Sequence, residues 1–404
     1  MLNSFIVVGS VLAADQLIIE RLYASMEFAT SCIHHSARFE ELTGSVVSPL
    51  YLTSTFAHLG LGKSTGYDYT RTQNPTRQSV EDTVALLEQG ADALAFSTGM
   101  AAIACLMELF KPGDHIVTSF DLYGGSIRLF DSISKKNGLL FTSVDTSDAV
   151  AVARAITPAT RAILIESPTN PTMVVSDIAE IAQIAHDNDA LLIADNTFLS
   201  PYFCQPLTLG ADIVVHSGSK YLGGHNDVLS GFLVAATQDM ADKLRYIQNT
   251  TGATLTPFDS WLVERGIKTL PLRMEKHQQN AMEVASFLQG HELVDEVLYP
   301  GLSKHPGHEL CLRQGTGFGG TITFYVKDEQ VAKRLLEGVK LVAFAESLGG
   351  AESLITYPLT QTHADLTAEE CAAKGIDGRM IRLSLGLEDA KDIIADLEQA
   401  LATE

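Results

Sequence analysis

From about Ala91 the chain alternates short apolar runs with stretches of helical period. The runs ADALAFS, DHIVTS, GLLFTSV, RAILIES, ALLIAD, DIVVHS and GFLVAA each have the length of a buried strand. Between several of them lie amphipathic stretches, such as Gly124 to Asn137 and Asp177 to Asn188, that predict helices. Apolarity within the runs is continuous instead of alternating. That predicts strands covered on both faces, and hence a mostly parallel sheet in an α/β domain. After Leu244 the texture changes. Helical patterns dominate from Pro257 to Gln289, GGTITFYV and RMIRLSLG read as strands, and DIIADLEQAL closes the chain as a helix. These predict a second, smaller α+β domain. Residues 27–75 carry many turn residues and no sustained period, as an arm that must pack on another surface would.

Length agrees with this division, because 404 residues exceed one ordinary core. The expected parts are an extension over 1–25, an arm over 26–75, an α/β domain over 76–265 and the α+β domain over 266–404. Phe5 to Ala14 form a short apolar run, and the overlapping SVLAADQ resembles a signal-peptide cleavage region. No Lys or Arg precedes the run, however, and it falls well short of the ~20 residues of a membrane span. The extension is therefore left without a role, with Met26 as an alternative start. A net charge of -21 opposes binding to nucleic acid or an anionic membrane surface. The five cysteines are scattered, with no C-x-x-C pair, which argues against a disulfide framework or zinc site and suits a reducing cytoplasm.

In an open α/β sheet, ligands collect beyond the carboxyl ends of the strands, so polar residues directly after apolar runs are the first candidates. Ser97-Thr98-Gly99-Met100, Asn170, Asp195-Asn196 and His216 to Lys220 stand at such junctions. Lys220 sits in a loop of small residues, where burial would leave its amine neutral and able to attack an aldehyde. Ser217 and Ser219 flank it with hydroxyls suited to phosphate oxygens; the same loop also fits a salt-bridged lysine. Gly99 and Met100 open an apolar helix whose N-terminus is a natural anion site, or an ordinary capped start. Asp195 ends ALLIAD, at a depth where a carboxylate needs a cation or good donors. A protonated pyridine nitrogen would serve, and so would a turn that the Asp caps. Tyr123 precedes Gly-Gly and could stack on a planar ring or simply pack. Tyr69 and Arg71 lie in a turn-rich segment that reads by itself as a surface loop.

Two other patterns are rejected. GTGFGG precedes a strand instead of opening a helix, so it is no dinucleotide fingerprint. KHPGHELC gathers possible metal ligands, but a Pro-Gly turn splits its histidines and its spacing matches no usual zinc site, so no metal is expected.

Taken in order, these segments resemble the Cys/Met-metabolism family of fold-type I pyridoxal-phosphate enzymes. The likeness runs from about Ser48 to the C-terminus. It is carried by YDYTRTQNPTR, STGMAAI, DLYGGS, ESPTNP, ADNTF, HSGSKYLGGHNDVLSG, ESLGGAESLI and MIRLSLGLED. The resemblance implies an aspartate-aminotransferase-like fold and a pyridoxal 5'-phosphate cofactor carried on Lys220. It implies that Asp195 pairs the pyridine nitrogen, that Tyr123 stacks on the ring, and that Gly99, Met100, Ser217 and Ser219 hold the phosphate. Tyr69 and Arg71 would reach the phosphate of a neighbouring subunit, making the shared-site dimer, paired again into a tetramer, the working unit. Arg382 would clamp the substrate α-carboxylate, aided by Asn170 and Ser347.

The implied chemistry is trans-sulfuration: γ-replacement or γ-elimination on sulfur amino acids or homoserine esters, with the cofactor as electron sink. Lys220 would shuttle protons and Tyr123 would assist departure of the γ-substituent. Within the family, the residue before the SLGG serine tracks substrate. Glu346 there matches the cystathionine γ-synthases and γ-lyases, and could bind the distal amino group of cystathionine or cysteine. Gly125 stands where methionine γ-lyases typically carry Cys. Asp68 resembles the acidic residue of the γ-synthases. Gln73 departs from the usual Gly and Asn226 from the usual Ser. The expectation is a γ-synthase or γ-lyase, with synthase ahead. The alternatives are methionine γ-lyase, cystathionine β-lyase, a homoserine-ester sulfhydrylase and, remotely, an inactive oligomeric homologue.

Overall fold

Each apolar run expected to be a strand is one: β1 (Asp92–Phe96), β2 (His115–Ser119), β3 (Leu140–Val144), β4 (Thr160–Glu166), β5 (Leu191–Asp195), β6 (Ile213–His216) and β7 (Gly231–Ala235). The computed structural model describes residues 26–34, 43–364 and 366–402, so the Phe5–Ala14 run and the rest of the 1–25 extension lie outside the described residues. The seven strands form one sheet in the order β1-β7-β6-β5-β4-β2-β3. Only β7 runs against its neighbours; the other pairs are parallel.

Both faces of this sheet are covered, and alternate residues feed separate cores. Ala95, Ile163, Ile165 and Val214 pack on one face, while Phe96, Leu164, Ile193 and Val215 pack on the other. The expectation fails at β3. Its pattern is mostly exposed, with Leu140 52% accessible, because it is the edge strand and packing reaches it from one side. The helix expected over Gly124 to Asn137 is also modified. It is α-helical over Gly124–Leu129 and widens into a π turn over Phe130–Ser134.

The helices that flank the sheet begin where their caps allow. The helix Pro75–Glu88 starts with Pro after Asn74, whose side chain accepts a hydrogen bond from the Thr76 amide, and stops at Gln89 in the left-handed region. Its Val80, Val84 and Leu87 join the core. Arg265 lies inside the helix Pro257–Ile267, and the helix Leu270–Gly290 leads from there to the second sheet.

That sheet holds β8 (Val294–Leu298), β9 (Thr321–Val326), β10 (Ala343–Phe344), β11 (Leu354–Thr356) and β12 (Met380–Ser384), in the order β10-β11-β12-β9-β8. It is antiparallel except for the β10–β11 pair and carries its own core, including Ile322, Phe324 and Leu383. The described part of the arm has one short helix, Phe28–Ser31, and an isolated bridge from Thr55 to Tyr69. It leaves Val46, Leu52, Leu59 and Leu61 well exposed. No described helix is long and apolar enough to cross a membrane.

Candidate active site

The carboxyl ends of β1, β4, β5 and β6 converge on a cavity of about 360 Å³, closed from above by Glu346, Ser347, Thr362 and Arg382. Gly99, Met100, Tyr123, Asn170, Asp195, Ser217, Ser219 and Lys220 all line it. Asp68, Tyr69 and Arg71 do not. Within this chain Arg71 donates to the Asn249 carbonyl at 2.6 Å, and Asp68 pairs with His58 at 2.8 Å on the exposed arm.

At one end of the cavity the helix Gly99–Met107 begins. Thr98 accepts from the Ala101 amide at 2.9 Å, and the first-turn residues Gly99 and Met100, whose amides have no intrahelical partner, line the cavity. Gly99 is required by close approach: a Cβ there would sit 3.1 Å from Ser217 Cβ. The missing side chain therefore brings the Lys220 loop against the positive end of the helix. Ser219 is more occupied than its sequence position suggests, since its hydroxyl donates to the Ser230 carbonyl at 3.2 Å and accepts from the Ser230 amide at 2.9 Å.

Lys220 is not the salt-bridged lysine that its loop alone allowed. Its Nζ donates to Ser347 Oγ at 2.8 Å, and among the described residues it ion-pairs with no carboxylate. Burial, then the nearby Arg382 charge, bring its pKa down to about 8, against a smaller opposing pull from Glu346. Ser347 itself has φ 108, a strained value for a residue with a side chain. Two contacts hold it there: its hydroxyl on Lys220, and its carbonyl, which accepts from Arg382 Nη2 at 2.9 Å.

Asp195 caps a turn, as its position allowed, and also reaches the cavity. Its Oδ1 accepts from the Thr197 amide and hydroxyl at 3.0 and 2.6 Å, a local turn, while the residue still lines the cavity. Burial raises its pKa, opposed by these Thr197 bonds and by the His216 charge. Across the ladder its register partner is Glu166, a cavity residue that the junction rule could have found directly after the run RAILI. Glu166 Oε2 accepts from the Tyr123 amide at 2.9 Å, and burial beside Asp195 pushes its pKa well up. Tyr123 needs Gly125: a Cβ there would meet the Tyr123 ring at 2.5 Å. Thr362, from a loop without periodic signal, is another wall residue that sequence reasoning missed, as are Thr197, Phe198, Leu229 and Leu348.

Arg382 is 2% exposed in the middle of β12. Nη1 donates to Asn170 Oδ1 at 2.8 Å, and Nη2 to the Ser347 carbonyl and, at 3.2 Å, to Thr356 Oγ1. Its Nε is buried with no hydrogen-bond partner. Burial lowers its pKa to about 10. Asn226 sits at φ 55 and donates to Glu352 at 2.8 Å; Asn tolerates this left-handed conformation better than Ser, which accounts for that departure locally. The histidines of KHPGHELC serve their turn. His305 Nδ1 accepts from the Gly307 amide, and His308 Nδ1 meets the Pro300 carbonyl.

The Cys/Met metabolism PLP-dependent enzyme family matches residues 29–402. The chain belongs to this family. A cystathionine γ-lyase of Bacillus subtilis (strain 168) is 49% identical over 93% of this chain and 99% of its own. A cystathionine γ-synthase of Haemophilus influenzae is also 49% identical, over 90% of this chain and 95% of its own. Among solved structures, cystathionine γ-lyase from Lactobacillus plantarum complexed with L-serine superposes with TM-score 0.91 at 44% identity, covering 93% of this chain and 99% of that one. The family's cofactor, pyridoxal phosphate, fits the donors present. The cavity offers a buried primary amine, a carboxylate, and a helix start cleared by a glycine.

Proposed function

We propose that this PLP-dependent family member catalyses γ-replacement or γ-elimination on sulfur amino acids or homoserine esters, as a cystathionine γ-synthase or γ-lyase. The observation that carries the reading is the unpartnered, buried Nε of Arg382, in one cavity with Lys220 and Glu346. A guanidinium with two nitrogens already oriented by neutral acceptors and one left open is prepared for an incoming carboxylate. Glu346, exposed at the cavity rim, adds a carboxylate for the distal ammonium of cystathionine or cysteine. Methionine offers no such cation.

The roles follow from these positions. Lys220 Nζ would hold the cofactor and, when free, would take the substrate α-proton; its lowered pKa keeps part of the amine neutral near pH 7. Asp195 would pair the ring nitrogen, Tyr123 would cover the ring, and Gly99, Met100, Ser217 and Ser219 would hold the phosphate. When bound, the cofactor supplies an electron sink for charge that develops at the α-carbon. Asn170 and Ser347 keep Arg382 aimed at the substrate carboxylate, and Tyr123 assists departure of the γ-substituent.

Asp68, Tyr69 and Arg71 belong to the cavity of a second subunit. The exposed apolar arm supports this, since those side chains gain a covered surface only against another copy. We therefore assign a homotetramer built as a dimer of dimers, divided within each chain into 26–75, 76–265 and 266–404, and working in the cytoplasm with its five cysteines reduced.

Equal identity to a lyase and a synthase leaves the choice between them to a substrate panel. O-succinylhomoserine or O-acetylhomoserine with cysteine should yield cystathionine, and cystathionine alone should yield 2-oxobutanoate. Rapid methanethiol release from methionine, with cystathionine inert, would overturn the assignment.

A further inference from the structure

Directly behind Asp195, on the opposite face of the sheet from the cavity, lies a buried polar cluster. Glu88 is the last residue of the helix Pro75–Glu88 and is fully buried. Its Oε1 meets His216 Nε2 at 2.6 Å and accepts from Asn196 Nδ2 at 2.9 Å. Asn196 Nδ2 also donates to the Cys204 carbonyl at 2.8 Å. His216 closes β6, and Asn196 follows the last residue of β5.

The strand register explains why these residues matter to the cavity. Asp195 pairs with Val215 across the β5–β6 ladder, and both line the cavity. Their successors, Asn196 and His216, point through the other face because side chains alternate along a strand. One carboxylate thus grips the two strand ends that present Asp195 and lead to the Lys220 loop. The grip is tightened by the Asn196 amide, which donates to the Val215 carbonyl at 3.0 Å. It is also electrostatic, because the field of His216 favours the ionised form of Asp195.

A purely structural cluster would be an odd choice here. Burying a carboxylate among polar partners seldom stabilises a fold more than apolar packing of the same volume. Glu88 Oε2 and Asn196 Oδ1 are buried without hydrogen-bond partners, a further cost of polarity at this place. The helix's other buried carboxylate against the sheet, Glu81, has the cations Arg77 and Arg245 beside it, whereas Val80, Val84 and Leu87 meet the sheet as apolar side chains.

We propose that Glu88 and His216 act as positioning residues for the cofactor site, fixing Asp195 from behind. The inference rests on the reading that Asp195 faces the ring nitrogen. It extends the site from the cavity wall through the sheet, and it assigns no contact with substrate to either residue.

Glu88→Gln keeps the shape and both hydrogen-bond acceptances but removes the charge; His216→Gln removes the imidazole. In each variant we expect the dissociation constant of pyridoxal phosphate from the apoprotein to rise about ten-fold. The visible band of the bound cofactor should shift its pH midpoint by about one unit, and kcat should fall about ten-fold at unchanged KM. The holoenzyme should lose more thermal stability than the apoprotein, since the lost free energy is that of cofactor binding. Because the pair works as one unit, the double variant should be no worse than the worse single one. Unchanged cofactor affinity and band, with equal stability losses in apo and holo forms, would show a structural cluster and overturn the proposal. If Glu88→Gln does not fold, the same readouts on His216→Gln decide. Asp195→Asn separates this outcome from failure of the underlying reading: wild-type affinity and band in that variant would remove Asp195 from the ring nitrogen, whatever Glu88 does.

Discussion

Two buried guanidinium groups, Arg273 and Arg382, sit on either side of the Lys220 loop, each with a pKa lowered to about 10 by burial. Neither is paired with a carboxylate among the described residues. Arg273 is complete: Nε donates to Thr269 Oγ1 at 3.0 Å, Nη1 to the Tyr221 carbonyl at 2.6 Å and Nη2 to the Gly266 carbonyl at 2.8 Å. It braces the backbone just after Lys220, and Gly224 is kept free of a Cβ because one would lie 2.1 Å from Arg273 Nη1. Arg382 satisfies Nη1 and Nη2 in the same neutral fashion but leaves Nε buried without a partner, in a side chain that lines the cavity. Burial and charge are alike in the two. What separates a bracing arginine from a binding one is the unfilled donor.

The largest effect should come from removing the open one. Arg382→Leu is expected to lower kcat/KM by about a thousand-fold, near 4 kcal/mol, because the substrate carboxylate would enter a dry site without its cation. The loss should shrink when the substrate carboxylate is replaced by an amide, which steady-state kinetics on matched acid and amide substrates would test. An equal loss on both would mean that Arg382 braces the cavity as Arg273 braces the loop.

The complement is Arg273→Met. This variant strands two buried carbonyls, of Tyr221 and Gly266, and should cost about 3 kcal/mol of apoprotein stability. Denaturant unfolding would measure it. The preference for acid over amide substrate should persist in whatever active protein remains. Collapse of that preference without loss of stability would reverse the two roles.

The contrast between these arginines was only half legible in the sequence. Strands β1 to β7 were legible as short apolar runs, and all but the edge strand β3 are covered on both faces as such runs require. β8 carries Asp295 and Glu296 at an edge, and β10 is two exposed residues, so neither has a pattern to find. Junctions after strands pointed to Gly99, Asn170, Asp195 and Lys220, because the chain must turn there at the ligand edge. The same rule covers Glu166, the last residue of β4. Arg382 lies inside a strand, among Ile381 and Leu383, where only family likeness gave it a role. Its partner Asn170 is 212 residues away, and the Glu88–His216 contact spans 128. Such pairings depend on the folded register and leave no local mark. Asp68, Tyr69 and Arg71 depend on a further level, because their proposed place is in another copy of the chain.

Lys220 provides a third buried cation and the smallest test. Its pKa falls from the usual 10.5 to about 8 in the folded apoprotein, because the cavity solvates an ammonium poorly and Arg382 repels it. The unfolded chain therefore binds more protons between those two values, and stability should rise as pH climbs through that window. Well below pH 8 the penalty is fully present, at most about 3.5 kcal/mol at about 1.4 kcal/mol per unit and less once solvent screening of the part-buried side chain is allowed for. Lys220→Met removes it. The variant apoprotein should be more stable than wild type at pH 7 and should lack the wild-type gain toward pH 10, as read by chemical denaturation at both values. Arg382→Leu also deletes a buried charge, but sacrifices its bonds to Asn170, Ser347 and Thr356, so it should gain less. If Lys220→Met is instead less stable than wild type at pH 7, the Ser347 hydroxyl compensates the ammonium fully. Lys220 would then belong with Arg273, among the groups that brace the fold.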